Sequence, residues 1–231
     1  MNKSKYLINL YKTMKKLFFL LIAGLSATFA QAQSSPKIGF KIGANYSNIS
    51  GDLQHQNIYS NKLGFVGGIT TSFPLASDGF ISINPEILFS QKGYQYRDEE
   101  FTNTSGQRIK MKGDVGYNYI DVPVLLKVKA GGLFFEGGPL GSYLLGIKDN
   151  VETKVNDQSF ERTTTVSKNG LTKFEVGYAA GVGYMLPVGV SLGVRYNGSI
   201  SRLANDNNNN NLMNARHSLF QASLGYTLGG K

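Results

Sequence analysis

The sequence predicts an all-β fold: an eight-stranded antiparallel up-and-down transmembrane β-barrel. Three observations carry this. First, residues 119–128 alternate without a break. Ile120, Val122, Val124, Leu126 and Val128 share one face, and Tyr119, Asp121, Pro123, Leu125 and Lys127 share the other. A strand sends successive side chains to opposite faces, whereas a helix would surround Asp121 and Lys127 with apolar neighbours. Second, eight segments of this kind can be marked along the chain, and their apolar faces are aliphatic and aromatic while their other faces carry charge. Lipid would take the first face and a lumen the second. A soluble lipocalin-like barrel also has eight strands but would turn its apolar residues inward. Third, the connections alternate long and short, as in a barrel with short turns on one side of a membrane and long loops on the other.

The elements follow in order. Strand one covers 37–47, with Ile38, Phe40, Ile42, Ala44 and Tyr46 in phase. Residues 49–62 are polar and read as a long loop. Strand two, 63–73, keeps Phe65, Ile69 and Phe73 in phase, and a short turn closes at Asp78-Gly79. Strand three, 80–94, sends Ile81, Ile83, Pro85, Ile87 and Phe89 out and Ser82, Asn84, Glu86, Ser90 and Lys92 in, with Leu88 breaking the inner pattern. The polar stretch 95–114 reads as a loop. Strand four, 115–130, contains the alternating stretch above and ends in a Gly131-Gly132 hairpin turn. Strand five, 133–144, sends Phe134, Glu136, Leu140 and Ser142 in. Residues 146–171 form the longest polar stretch and read as a loop. Strand six, 173–186, presents Phe174, Val176, Tyr178, Ala180, Val182 and Tyr184 outward and Glu175 inward. Pro187-Val188-Gly189 turns the chain into strand seven, 190–200, with Arg195 and Asn197 inside. A loop at 201–216, with its asparagine run 207–211, leads to strand eight, 217–228.

Composition agrees with this reading. The chain has 231 residues, room for one domain, with 28 Gly, 13 Tyr and neither Cys nor Trp. The lack of Cys removes disulfides and thiolate metal sites. Past the N-terminal region there is no apolar run of the roughly 18 residues that a spanning helix needs. Lys15 and Lys16, the apolar run 17–29 and Ala30-Gln31-Ala32 read as a signal peptide over 1–32, with Met14 as an alternative true start; 33–231 is then the outer-membrane barrel domain. Setting aside Lys3, Lys5, Lys12, Lys15 and Lys16 lowers the net charge from +9 to +4, too mild to suggest nucleic acid.

Counting from a two-residue turn at Gly131-Gly132 predicts the register of strands four and five. Lys127 should face Glu136 inside the barrel, and Asp121 should face Ser142. Counting from Pro187-Val188-Gly189 sets Arg195 opposite Gly181, whose missing side chain leaves room to reach across to Glu86 or Glu175. The expected lumen polar network is therefore Glu86, Asp121, Lys127, Glu136, Glu175 and Arg195, a salt-bridged plug without a catalytic role. An arginine should be tolerated better at the lumen position Asn197 than at the lipid-facing Val124. Pro85, Pro123 and Pro139 break a local rule, because a closed barrel has no edge strand to host them. Local bulges or missing ladder bonds would each accommodate them.

Several of these strands resemble the PorT-like outer-membrane β-barrel family of Bacteroidota. The residues are Asn84-Pro85-Glu86-Ile87-Leu88-Phe89-Ser90-Gln91-Lys92-Gly93, the stretch Tyr119 to Lys127, Glu136-Gly137-Gly138-Pro139-Leu140-Gly141 and Arg195-Tyr196-Asn197. They look like that family's third, fourth, fifth and seventh strands. The resemblance implies an eight-stranded barrel in the cell outer membrane and no reaction. One member of that family belongs to a type IX secretion apparatus.

Some eight-stranded barrels modify lipid A, so catalysis has to be weighed. The two histidines are His55, in the first loop, and His217, at the start of strand eight, read here as loop and rim residues. Ser60, Ser218 and Asp52 supply the other residue types of a hydrolase or acyltransferase but share no motif with them. The asparagine run offers oxygen ligands for Ca²⁺ without spaced carboxylates. The expectation is a non-enzymatic barrel with no cofactor or metal. Its lumen would be filled by side chains and its long extracellular loops would serve envelope structure or partner binding. Expected partners are outer-membrane lipid, lipopolysaccharide and a protein bound through the loops. Lys62, Arg97, Arg108, Lys110, Lys112, Arg162 and Lys168 are available either as a solvated surface or for lipopolysaccharide phosphates. The alternatives are a lipid A-modifying enzyme or a component of a type IX secretion apparatus.

Overall fold

A computed structural model describes residues 35–51, 59–102, 108–155, 158–165, 170–204 and 214–229, with side chains left undescribed at 97–102, 108–112, 151–155 and 158–165. The expected signal peptide, its alternative start, His55 and the asparagine run lie outside the described residues. Nine strands are present among them: β1 Lys37–Ser50, β2 Tyr59–Pro74, β3 Ile81–Thr102, β4 Arg108–Ala130, β5 Leu133–Val155, β6 Gln158–Thr165, β7 Phe174–Met185, β8 Val190–Ser199 and β9 Arg216–Thr227. Every pairing is antiparallel. β1 lies between β2 and β9, and β4 pairs with β5, so the sheet closes on itself. Eight strands form the barrel. The ninth, β6, pairs with the far part of β5, while β7 pairs with its near part.

The barrel is sheared. The pairs Lys37–Ser72, Asn84–Leu125, Gly138–Ala179, Ala179–Asn197, Asn197–Leu219 and Leu219–Ser47 lead round the wall from residue 37 of β1 to its residue 47. The strands are therefore tilted, and residues from distant strands share one level of the lumen. Turn geometry holds the short-turn end. Gly131 has φ 65°, which a two-residue hairpin needs and a side chain resists. Ala130 consequently pairs with Leu133, Lys127 with Glu136 and Asp121 with Ser142, as counting from the turn requires. At the turn after β7, Arg195 falls opposite Gly181.

Burial is inverted relative to a water-soluble barrel. Ile87 and Leu192 are 61% and 62% exposed on the outside, while Glu86 and Arg195 are 2% and 3% exposed inside. This outer surface is an apolar belt that hydrocarbon rather than water would cover. Aromatic groups line its upper border: Tyr46 pairs with Phe220, Phe220 with Tyr196, and Tyr143 with Phe174.

Two expectations change. The polar stretches 95–114 and 146–171 are largely not loops. β3 runs on to Thr102 and β4 starts at Arg108, while β5 runs to Val155 and returns as β6. Their pairing continues past the apolar belt, where backbone hydrogen bonds hold the ribbon without a lipid face to impose alternation. Asn197 is also unsuited to a mild arginine substitution. It is 7% exposed, packed inside the wall beside Gln221.

The prolines are accommodated by missing rungs. The β2–β3 ladder omits Pro85 yet keeps the same register on both sides, from Thr70–Glu86 to Phe73–Ile83. The β3–β4 ladder likewise omits Pro123, and the β4–β5 ladder omits Pro139, again without a shift. Each proline lacks the N–H that its omitted rung would use. At Pro85 the hydroxyl of Thr71 donates to the proline carbonyl at 2.8 Å.

Candidate functional site

Inward-facing positions on five strands build one ionic cluster in the turn-side half of the lumen. Arg195 of β8 grips Glu86 of β3 with two parallel bonds, Nη1 to Oε2 at 2.9 Å and Nη2 to Oε1 at 3.1 Å. Its Nε donates to Oε1 of Glu136 on β5 at 2.8 Å. Lys41 of β1 donates to Glu86 at 2.6 Å, and Lys127 of β4 lies 3.3 Å from Glu136. The planar guanidinium suits this bridging role, since its fork can engage two carboxylates at once. Gly181 is required opposite it: a Cβ there would stand 2.8 Å from the Val194 carbonyl oxygen and 3.1 Å from the Arg195 Cβ.

A second cluster lies toward the loop side. Lys92 donates to Asp121 at 2.8 Å and to Ser142 at 2.9 Å, and its ammonium sits 4.6 Å from the centre of the Tyr119 ring. Glu175 accepts from the Tyr119 hydroxyl and from Ser199 at 3.1 Å, and both its oxygens lie 3.2 Å from His217 Nδ1. The edges of Tyr117 and Tyr119 flank the imidazole. Above this layer Tyr59, Tyr94, Ile49, Val115, Leu144 and Ile147 pack into an apolar cluster inside the wall, and Leu203 folds into it from the segment after β8.

The six residues named from the sequence thus fall into two groups. Glu86, Lys127, Glu136 and Arg195 meet, while Asp121 and Glu175 belong to the second cluster. Glu175 is not a partner of Arg195. Strand tilt carries it to the loop side, and Glu136 takes its place. His217 is not a rim residue but is buried at 3% exposure. Lys41, Lys92, Tyr119 and His217 are further members of these clusters. Strand alternation alone places each of them inside, with His217 in phase with Leu219 and Gln221.

The chemistry open to this interior is limited. His217 has a carboxylate on Nδ1, as a catalytic histidine would, but among the described residues its Nε2 has no hydrogen-bond partner, and Ser199 nearby donates to Glu175 and the Ser201 carbonyl rather than to the imidazole. The cavity beside it is about 10 Å³, too small for a substrate. Among the described residues, no group of three or more His, Asp or Glu side chains is placed to hold a metal. A larger cavity inside the wall, about 380 Å³, opens at the short-turn end.

Comparison with known proteins gives the following. A family model described as "Outer membrane protein beta-barrel domain" matches residues 29–205. No curated protein sequence matches the chain. Solved structures similar to it include Neisserial surface protein A, at 14% identity and a TM-score of 0.44, covering 84% of this chain and 99% of that one. The attachment invasion locus protein of Yersinia pestis is similar at 12% identity and a TM-score of 0.43, covering 84% of this chain and 100% of that one. The outer membrane protease OmpT from Escherichia coli is similar at 11% identity and a TM-score of 0.28, covering 83% and 97%.

Proposed function

The chain belongs to the outer membrane protein beta-barrel domain family, and from that membership we propose that it is a non-enzymatic integral barrel whose loop-side hairpins contact a partner at the cell surface. The observation that carries this is the filled lumen. Paired charges occupy its middle, an aromatic and apolar layer covers them, and the His217–Glu175 pair has no hydroxyl bonded to the imidazole Nε2 among the described residues and only a cavity too small for a substrate beside it. The interior therefore serves to hold the wall together. The extensions of β3, β4, β5 and β6 beyond the apolar belt are the part free to engage something else. Their sequence carries Arg108, Lys110, Lys112 and Arg162 alongside Asp98, Glu99, Glu100, Asp149, Glu152 and Glu161, a mixed-charge surface suited to polar contacts with lipopolysaccharide or a protein.

Within the family we group the chain with the PorT-like barrels of Bacteroidota, on the four strand motifs in their order along the chain. Export through an N-terminal signal peptide belongs to the same reading. The test has two arms. Mass spectrometry of lipid A from cells with and without the gene should give the same acyl pattern; a changed pattern would replace this reading with a lipid A-modifying enzyme. Pull-down from native membranes after mild solubilisation should return an envelope partner whose capture depends on residues 149–165. Recovery of a set of secretion components would assign the barrel to a secretion apparatus instead.

A further inference from the structure

The cavity at the short-turn end lies below the ion-paired plug and shares Lys41, Glu86 and Lys127 with it. Its charged lining is Lys37 and Lys41 from β1, Asp78 from the turn, Glu86 from β3, and Lys127 and Lys129 from β4. The charges do not balance. Glu86 is already shared by Arg195 and Lys41, and Glu136 behind it by Arg195 and Lys127, so three cations face two carboxylates. Lys37 and Lys129 have no carboxylate partner among the described residues and add two further positive charges. Asp78 offsets one of these from the rim, where its carboxylate accepts the Phe80 N–H at 3.0 Å. The cavity thus holds an excess of two positive charges in a space walled by protein, which concentrates their field. Its neutral donors include Ser82, Thr70 and Asn84. At about 380 Å³ it is in the size range of small-molecule sites.

We propose that this vestibule binds a small oxyanion carrying two or more negative charges, of phosphate or carboxylate type, entering from the short-turn side. The ligand neutralises Lys37 and Lys129 while leaving the Arg195 cluster intact. The site is independent of the reading of the lumen as non-enzymatic, since it needs no chemistry and no loop-side partner.

The test uses the full barrel in dodecyl maltoside, a detergent without phosphate, titrated with inorganic pyrophosphate in a calorimeter. Saturable binding that weakens with salt is expected. The double variant K37Q/K129Q should weaken it by about tenfold or more, having lost two charge-assisted contacts. R202Q removes one charge at the opposite, exposed end and should change it little. Heat-dependent migration on gels confirms that both variants are folded. Absence of saturable binding to the wild type would overturn the site, as would unchanged binding in K37Q/K129Q or an equal loss in R202Q. Repeating the titration in phosphatidylcholine nanodiscs with and without phosphatidylglycerol identifies the source of the anion. Competition by the anionic lipid assigns a headgroup, and its absence assigns a soluble solute.

Discussion

Glu136 and Lys127 face each other across one rung, yet they are not equivalent. Glu136 also holds Arg195, so removing its charge leaves a buried guanidinium with a single carboxylate. Removing Lys127 leaves Glu136 still paired. Glu136→Gln is therefore expected to cost roughly 3–5 kcal/mol, the range for breaking a buried ion pair. Lys127→Gln should cost at most about 1 kcal/mol, because a more accessible contact is lost and no charge is stranded. Urea unfolding in lipid vesicles measures both, and equal costs would mean that Arg195 does not depend on Glu136. The outer face gives a second contrast. Val124→Arg places a cation in the apolar belt and should cost roughly 2–4 kcal/mol near mid-bilayer. Ser72→Arg points into the turn-side cavity and should be milder. If the two fold equally well in bilayers, the assignment of faces is wrong.

At the level of the element, the long hairpins and the barrel wall are separable. β5 closes the barrel through its pairing with β7 from Leu133 to Tyr143, while β6 pairs only beyond that, from Lys148 onward. Replacing residues 149–165 by a short Gly-Ser linker removes the rungs between 149–155 and 109–115 of β4 but none to β7, so the barrel should still close and fold. The same deletion should abolish capture of a surface partner. A barrel that no longer folds would show that the hairpin contributes to closure. The sequence of these hairpins carries little sign of their structure. Alternation is visible where one face meets lipid, and above the belt no such demand acts on the sequence. The proline rungs are the converse case. Pro85, Pro123 and Pro139 are obvious in the sequence, but the choice between a bulge and an omitted rung depends on what the neighbouring strands tolerate.

For the whole molecule, the layered interior predicts that the barrel does not conduct. Among the described residues the Arg195 cluster, the His217 layer and the apolar cluster follow one another along the lumen. Planar-bilayer recordings of the purified protein should show no stable conductance steps; steps of uniform size would mean an open path past Arg195. Orientation is tested by labelling intact cells. A tag within 207–211 should be reachable and a tag at Asp78-Gly79 should not, since long connections face outward and short turns inward. Equal labelling at both sites would overturn the orientation.

Alternation in the sequence determined by itself that this is a barrel, which residues face in, and how β4 and β5 are registered. Those properties are local, since pleat and turn length dictate them within one hairpin. Only the closed structure decided which charges meet. Glu136 rather than Glu175 reaches Arg195, and His217 lies under two tyrosines instead of at a rim, because strand tilt sets the height of each side chain in the lumen. That height accumulates round the whole wall. No single strand or hairpin contains it, so the partners of Arg195, the aromatic layer and the unpaired lysines of the vestibule emerge only when the eighth strand meets the first.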